Sequence, residues 1–212
     1  MIKKFNIFIV LYIIFLISML PILLMYNKSE IHLFINQYHS LSFDIFFKYI
    51  TDLGDGLFSI AIAIIFLFVR YRYSIIIFSS YAISGFLVQL LKKTIFADVS
   101  RPSRYFNGIA EIHLVEGVKM LGKYSFPSGH SASAFALFFC LSMFNKNSYL
   151  KLVFFILALI VAFSRVYLSQ HFLIDIVVGS IFGVGISWLI YWYISKSNKK
   201  WMDQSIMQSI RR

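Results

Sequence analysis

The chain has 212 residues, 59% of them hydrophobic and 19% aromatic, with only 14% charged, against roughly 25% charged in soluble domains. That balance excludes an ordinary soluble globule and points to an all-α, polytopic membrane protein forming one domain, residues 1–212. The net charge of +11 would suggest nucleic acid in a soluble protein; here it marks helix ends and candidate anion ligands, and no nucleic-acid partner is expected.

The chain opens MIKKFNIFIVLYIIFLISMLPILLMYNKSE. Two lysines precede about twenty apolar residues, and no small-residue cleavage site follows, so residues 1–30 read as an uncleaved first membrane helix. In chain order the apolar stretches predict about six transmembrane helices: Asn6–Met25, Gly56–Val69, Ser74–Leu91, Ser131–Phe144, Leu150–Phe163 and Phe172–Ile194. Between the first two, IHLFINQYHSLSFDIFFKYI mixes aromatic and polar residues and reads as an amphipathic segment lying in the membrane interface. Cys140, alone in an apolar run, has no partner for an internal disulfide.

Lys3 and Lys4, Arg70 and Arg72, Lys146 and Lys151, and the basic tail 196–212 all fall on one side of this topology. That side is predicted to be the cytoplasm. The opposite side should be poor in cations, yet Lys92–Tyr124 carries Lys92, Lys93, Arg101, Arg104, Lys119 and Lys123, and Arg165 lies at the same level. A bound anion accounts for the surplus; a loop that is merely basic, or a miscounted span, is the bland alternative.

Three clusters fall on that side: KKTIFADVSRP from Lys92, PSGH from Pro127, and SRVYLSQHFLID from Ser164. Pro127 suits a first helical turn, Ser128 a cap or a ligand, and Gly129 a close backbone approach. Free N–H groups at a helix start attract phosphate. His130 would stand beside such an anion, although an incidental histidine near a cap reads equally well. His171 and Asp175 are four residues apart and share a helix face, so the carboxylate can fix the imidazole tautomer. A structural His–Asp pair between helices is the alternative. Arg101 and Arg165 offer forked contacts to phosphate oxygens. A basic anchor for lipid headgroups is the other reading of the first cluster.

Together the clusters resemble the signature of the type 2 phosphatidic acid phosphatases, relatives of class A acid phosphatases and vanadium haloperoxidases. That signature runs lysine, six residues, Arg-Pro; then Pro-Ser-Gly-His; then Ser-Arg, five residues, His, three residues, Asp. PSGH, SRVYLSQHFLID and Arg101–Pro102 match. The lysine departs, because the expected position is Thr94; Lys93, one residue away, is the nearest candidate and Lys92 the next. The catalytic region is thus 92–175. The resemblance implies a nucleophilic His171 oriented by Asp175, with His130 as proton donor and then base. It also implies that Lys93, Arg101, Ser128, Gly129 and Arg165 bind phosphate, and that no metal or cofactor is required. His32, His39 and His113 are expected at the surface or interface. The implied partners are the bilayer and a membrane lipid phosphate: phosphatidic acid, phosphatidylglycerophosphate, an isoprenoid diphosphate or a lipid A phosphate. The implied place is a bacterial inner membrane, with the site facing away from the cytoplasm. A phosphotransferase sharing the first step, and a non-hydrolytic lipid-phosphate binder or transporter, stay open.

Overall fold

The structure is a computed structural model and describes residues 6–210; Lys3 and Lys4, on which part of the orientation argument rests, lie outside them, as do Arg211 and Arg212. The elements are α1 (Ile7–Met25), α2 (Lys28–Asn36), α3 (Leu41–Ile50), a 3-10 turn (Thr51–Gly54), α4 (Gly56–Leu67), α5 (Tyr71–Thr94), α6 (Pro102–Tyr105), α7 (Gly129–Phe144), α8 (Ser148–Tyr167), α9 (Leu173–Ser195), a second 3-10 turn (Lys200–Asp203) and α10 (Ile206–Ile210). No strand occurs among the described residues.

Four helices, α1, α5, α8 and α9, are long and apolar enough to cross a membrane. The expected count of six is not confirmed, for two physical reasons. Residues Gly56–Leu67 are too short alone; with Leu41–Gly54 they form one pair bent by 53°. The amphipathic stretch therefore divides, with α2 standing apart and α3 running into the bent pair. The sixteen-residue α7 is only about 24 Å long at 1.5 Å per residue, short of the roughly 30 Å hydrocarbon core.

Short length suits α7, because it is the core of the bundle. Every residue of Ser131–Cys140 is buried, and α4, α5, α8 and α9 pack around it. Small residues set the closest approach: a Cβ on Gly179 or Gly183 of α9 would collide with the carbonyls of Ser128 and Ala132, so only glycine lets the backbones meet there. α1 docks by aromatic contacts, Phe8 standing edge-on to Phe139 and Phe155 at ring separations of 5.7 and 5.5 Å. Asn6 caps it by accepting from the Phe8 N–H at 3.0 Å.

At the opposite end of the bundle from the three motifs, the tail is not simply solvated. Asp203 accepts both Nε (2.8 Å) and Nη2 (2.9 Å) of Arg72, and the Gln204 carbonyl accepts from the Tyr71 N–H at 2.9 Å. The tail thus caps the start of α5. The Arg72 guanidinium holds the Asp203 carboxyl below the usual carboxylate range.

Candidate active site

The third motif owes its spacing to the way the chain leaves α8. The N–H groups of Gln170 and His171 both donate to the Arg165 carbonyl, at 2.9 and 3.0 Å. Ser169 takes φ = 53°, a left-handed turn that lets the chain reverse into α9. Arg165 and His171 are thereby brought to one space. Asp175 then sits in the first turn of α9, where its Oδ2 accepts the Phe172 N–H at 3.0 Å.

That oxygen is a shared acceptor. His171 Nδ1 lies 3.3 Å from it, and Ser125 Oγ donates to it at 2.5 Å. With the proton on Nδ1, His171 donates to Asp175 and turns the lone pair of Nε2 outward, the arrangement of an oriented nucleophile. Burial, then the charges of Lys92, Arg101 and Arg165, hold His171 well below the usual histidine range. That direction favours the neutral form of the ring.

The second motif starts α7 beside this pair. Pro127 precedes the first turn; Ser128 is the cap, and its Oγ accepts from Ser131 Oγ at 2.9 Å. The Ser128 N–H donates to the Asp175 carbonyl at 2.9 Å, tying the second motif to the third. His130 borders a cavity of about 270 Å³ lined also by Gly54, Tyr81, Gly85, Gln89 and Gly129. No protein atom comes nearer than 4.0 Å to where a Gly129 Cβ would stand, so packing does not demand glycine here.

The cations converge from three elements. Arg165, 8% exposed, donates from Nη1 to Thr51 Oγ1 at 2.8 Å, while its buried Nε has no partner among the described residues. Arg101, 6% exposed, gives Nε to the Lys123 carbonyl at 2.9 Å and Nη1 to the Gln170 carbonyl at 3.1 Å. It therefore also clamps the loop before α7 to the residue preceding His171. Lys92, 5% exposed, acts electrostatically on Arg101, Asp175 and Arg165. Three buried cations face one buried carboxylate, an excess that favours a bound anion.

His171, Asp175, His130, Ser128, Gly129, Arg101 and Arg165 thus come together. Lys93 does not. The helix α5 runs on through Thr94, so the row Ser84, Val88, Lys92 faces inward at i, i+4 spacing while Lys93 is rotated by about 100° and is exposed. The spacing in the signature pointed to Lys93, whereas the helix, continuing through Thr94, turns Lys92 inward. Thr51, Ser125 and Gln170 were missed too. Only the polar run TDLGDG among apolar neighbours could have flagged the first. Among the described residues, no group of three or more His, Cys, Asp or Glu gathers as a metal site.

His39 is exposed, and His113 stacks on it at 4.0 Å while pairing with Asp44 at 2.9 Å. His32 departs from expectation: it is 1% exposed. Burial pushes it down to about 4, with the Asp175 charge acting in the opposite sense.

Comparison with known proteins follows the same outline. A lipid A 4′-phosphatase of Bacteroides thetaiotaomicron is 33% identical over 97 residues, 45% of this chain and 43% of that protein. One from Porphyromonas gingivalis is 28% identical over 105 residues, 50% of this chain and 44% of that protein. The chain thus spans less than half the length of these curated relatives. The crystal structure of Aquifex aeolicus LpxE aligns with a TM-score of 0.69 at 26% identity, covering 77% of this chain and 94% of that one. The transmembrane PAP2 type phosphatidylglycerolphosphate phosphatase of Bacillus subtilis aligns at 0.67 and 22% identity, over 91% and 98%, a likeness of fold. The profile of the PAP2 superfamily matches residues 73–199, which hold all three motifs, and the chain is a membrane protein that belongs to the PAP2 superfamily.

Proposed function

We propose that the protein is a lipid phosphatase that hydrolyses a phosphate ester through a phosphohistidine, at the end of the bundle facing away from the cytoplasm. The observation that carries this is the His171–Asp175 pair, 3.3 Å apart, set among Lys92, Arg101 and Arg165 with little protein carboxylate to neutralise them. Nε2 of His171 attacks phosphorus while the bond to the leaving oxygen breaks. His130 gives that oxygen its proton, and the alcohol departs into the cavity beside Gly129. His130 next takes a proton from water as the water oxygen attacks the phosphohistidine, the P–N bond breaks, and phosphate leaves with His171 restored. Lys92 replaces Lys93 as the lysine on the phosphoryl oxygens. Lys92, Arg101, Arg165 and the N–H groups at the start of α7 stabilise the charge that spreads over those oxygens. These cations supply the field a metal would otherwise supply, so metal independence is part of the proposal.

Similarity to two lipid A 4′-phosphatases favours a lipid A phosphate over the other envelope lipids as substrate. The test is to trap the intermediate. Protein mixed with phosphate-labelled lipid A and quenched in base should carry a base-stable, acid-labile label on the peptide containing His171. Turnover by the unmodified chain with no label on that peptide would overturn the covalent mechanism; label from phosphatidic acid but not lipid A would move the substrate.

A further inference from the structure

The matched family region begins at residue 73, yet the loop that carries His171 is held from outside it. His32 of α2 lies with Nε2 3.2 Å from Ser169 Oγ, two residues before His171. Its ring stacks on Phe106 at 5.5 Å and meets Phe172, the residue after His171, edge-on at 5.5 Å. One turn further along α2, Asn36 reaches the same hydroxyl at 3.5 Å. Asn36 is itself fixed by a two-way bond with the His113 backbone, giving Nδ2 to its carbonyl at 2.9 Å and accepting its N–H at 2.8 Å. At the start of α2, Lys28 lies 4.8 Å over the Phe172 ring. The segment from Ser169 to Phe172 is therefore gripped on both sides of His171 by one short helix. Ser169 is also where the chain adopts its left-handed turn, the conformation most in need of outside support.

We propose that His32 is a positioning residue: with Asn36 it latches Ser169 and so fixes the His171 loop in the geometry that aims Nε2 at phosphorus. The functional half rests on the phosphatase reading above; the latch itself does not. Near-attack geometry is strict, and a displacement of about 1 Å costs up to roughly a hundredfold in rate. Losing one of several restraints should cost less.

Two readouts separate the claims. Hydrogen–deuterium exchange needs no substrate: His32→Phe keeps the ring contacts, removes the bond to Ser169, and should speed exchange of the Gln170 and His171 amides relative to the rest of the chain. Steady-state phosphate release reads the consequence: His32→Phe should lower kcat about tenfold with KM within about twofold. His32→Gln, whose amide nitrogen falls near the place of Nε2, should recover most of that loss. Ser169→Ala should reproduce it, and the double variant should lose no more than either single one. Unchanged exchange in both His32→Phe and Ser169→Ala would overturn the latch. Faster exchange with unchanged kcat would overturn the positioning role. An unmodified chain that releases no phosphate from any lipid would count against the phosphatase reading, and the exchange result would still decide the latch.

Discussion

The two ends of the bundle both gather cations, and they treat them differently. At one end Arg72 is neutralised by a forked pair with Asp203, 2.8 and 2.9 Å from its Nε and Nη2. At the other, Arg101 is held by carbonyls and Arg165 by a threonine hydroxyl; among the described residues neither shares a carboxylate salt bridge, and Lys92 is buried beside them. Burying charge without a counter-charge is costly. A protein that keeps such a cluster needs another anion to complete it. One end has thus built its own anion into the tail, while under the proposed function the other takes one from a lipid substrate.

Substitution should split the two ends. Arg165→Ala removes a cation whose buried Nε has no partner among the described residues and should lower kcat about 10²–10³-fold, read by phosphate release; a loss under about tenfold would return Arg165 to a structural role. Lys92→Ala should cost roughly tenfold or more, while Lys93→Ala should stay within about twofold. The reverse order would mean that α5 presents a different face. Arg72→Ala should leave kcat within about twofold and lower the melting temperature by several degrees, since the largely buried guanidinium also donates to the Ile194 and Ser197 carbonyls; a catalytic loss would join the two ends functionally.

A further effect concerns pH. The folded chain binds a proton at His32 only near about 4, whereas the unfolded chain binds one near about 6.5. The unfolded state therefore holds more protons across that window, and stability falls as pH drops from about 6.5 to about 4. Melting temperatures in detergent should decline over that range. His32→Phe should show a shallower decline, by about one proton; an identical slope would mean that His32 is charged in the folded protein.

The motifs were legible because their chemistry is local. His171 and Asp175 sit four apart, Ser128 caps the helix that carries His130, and Arg165 is six residues from His171 across one turn. The contacts invisible in the sequence are those made between distant segments. Ser125 reaches Asp175 across 50 residues and Thr51 reaches Arg165 across 114, with no spacing rule to join them. The inward-facing lysine, Lys92, differs from the expected Lys93 by a rotation of one residue on a helix whose end the sequence does not mark sharply. The count of six spans goes unconfirmed for a related reason. Composition identifies apolar stretches, but whether one faces lipid, like α1, or other helices, like α7, depends on tertiary packing. Gly54, at the bend, likewise answers to tertiary packing, since a Cβ there would press on Val161 and the His130 backbone.

The central claim is that His171 attacks a lipid phosphate without a metal. The direct measurement is phosphate release from lipid A by detergent-purified protein in EDTA, beside the His171→Ala variant confirmed folded. The account predicts release by the unmodified chain and a loss of about 10⁴-fold or more in the variant. Release that survives in His171→Ala, or that appears only when metal is restored, would contradict it.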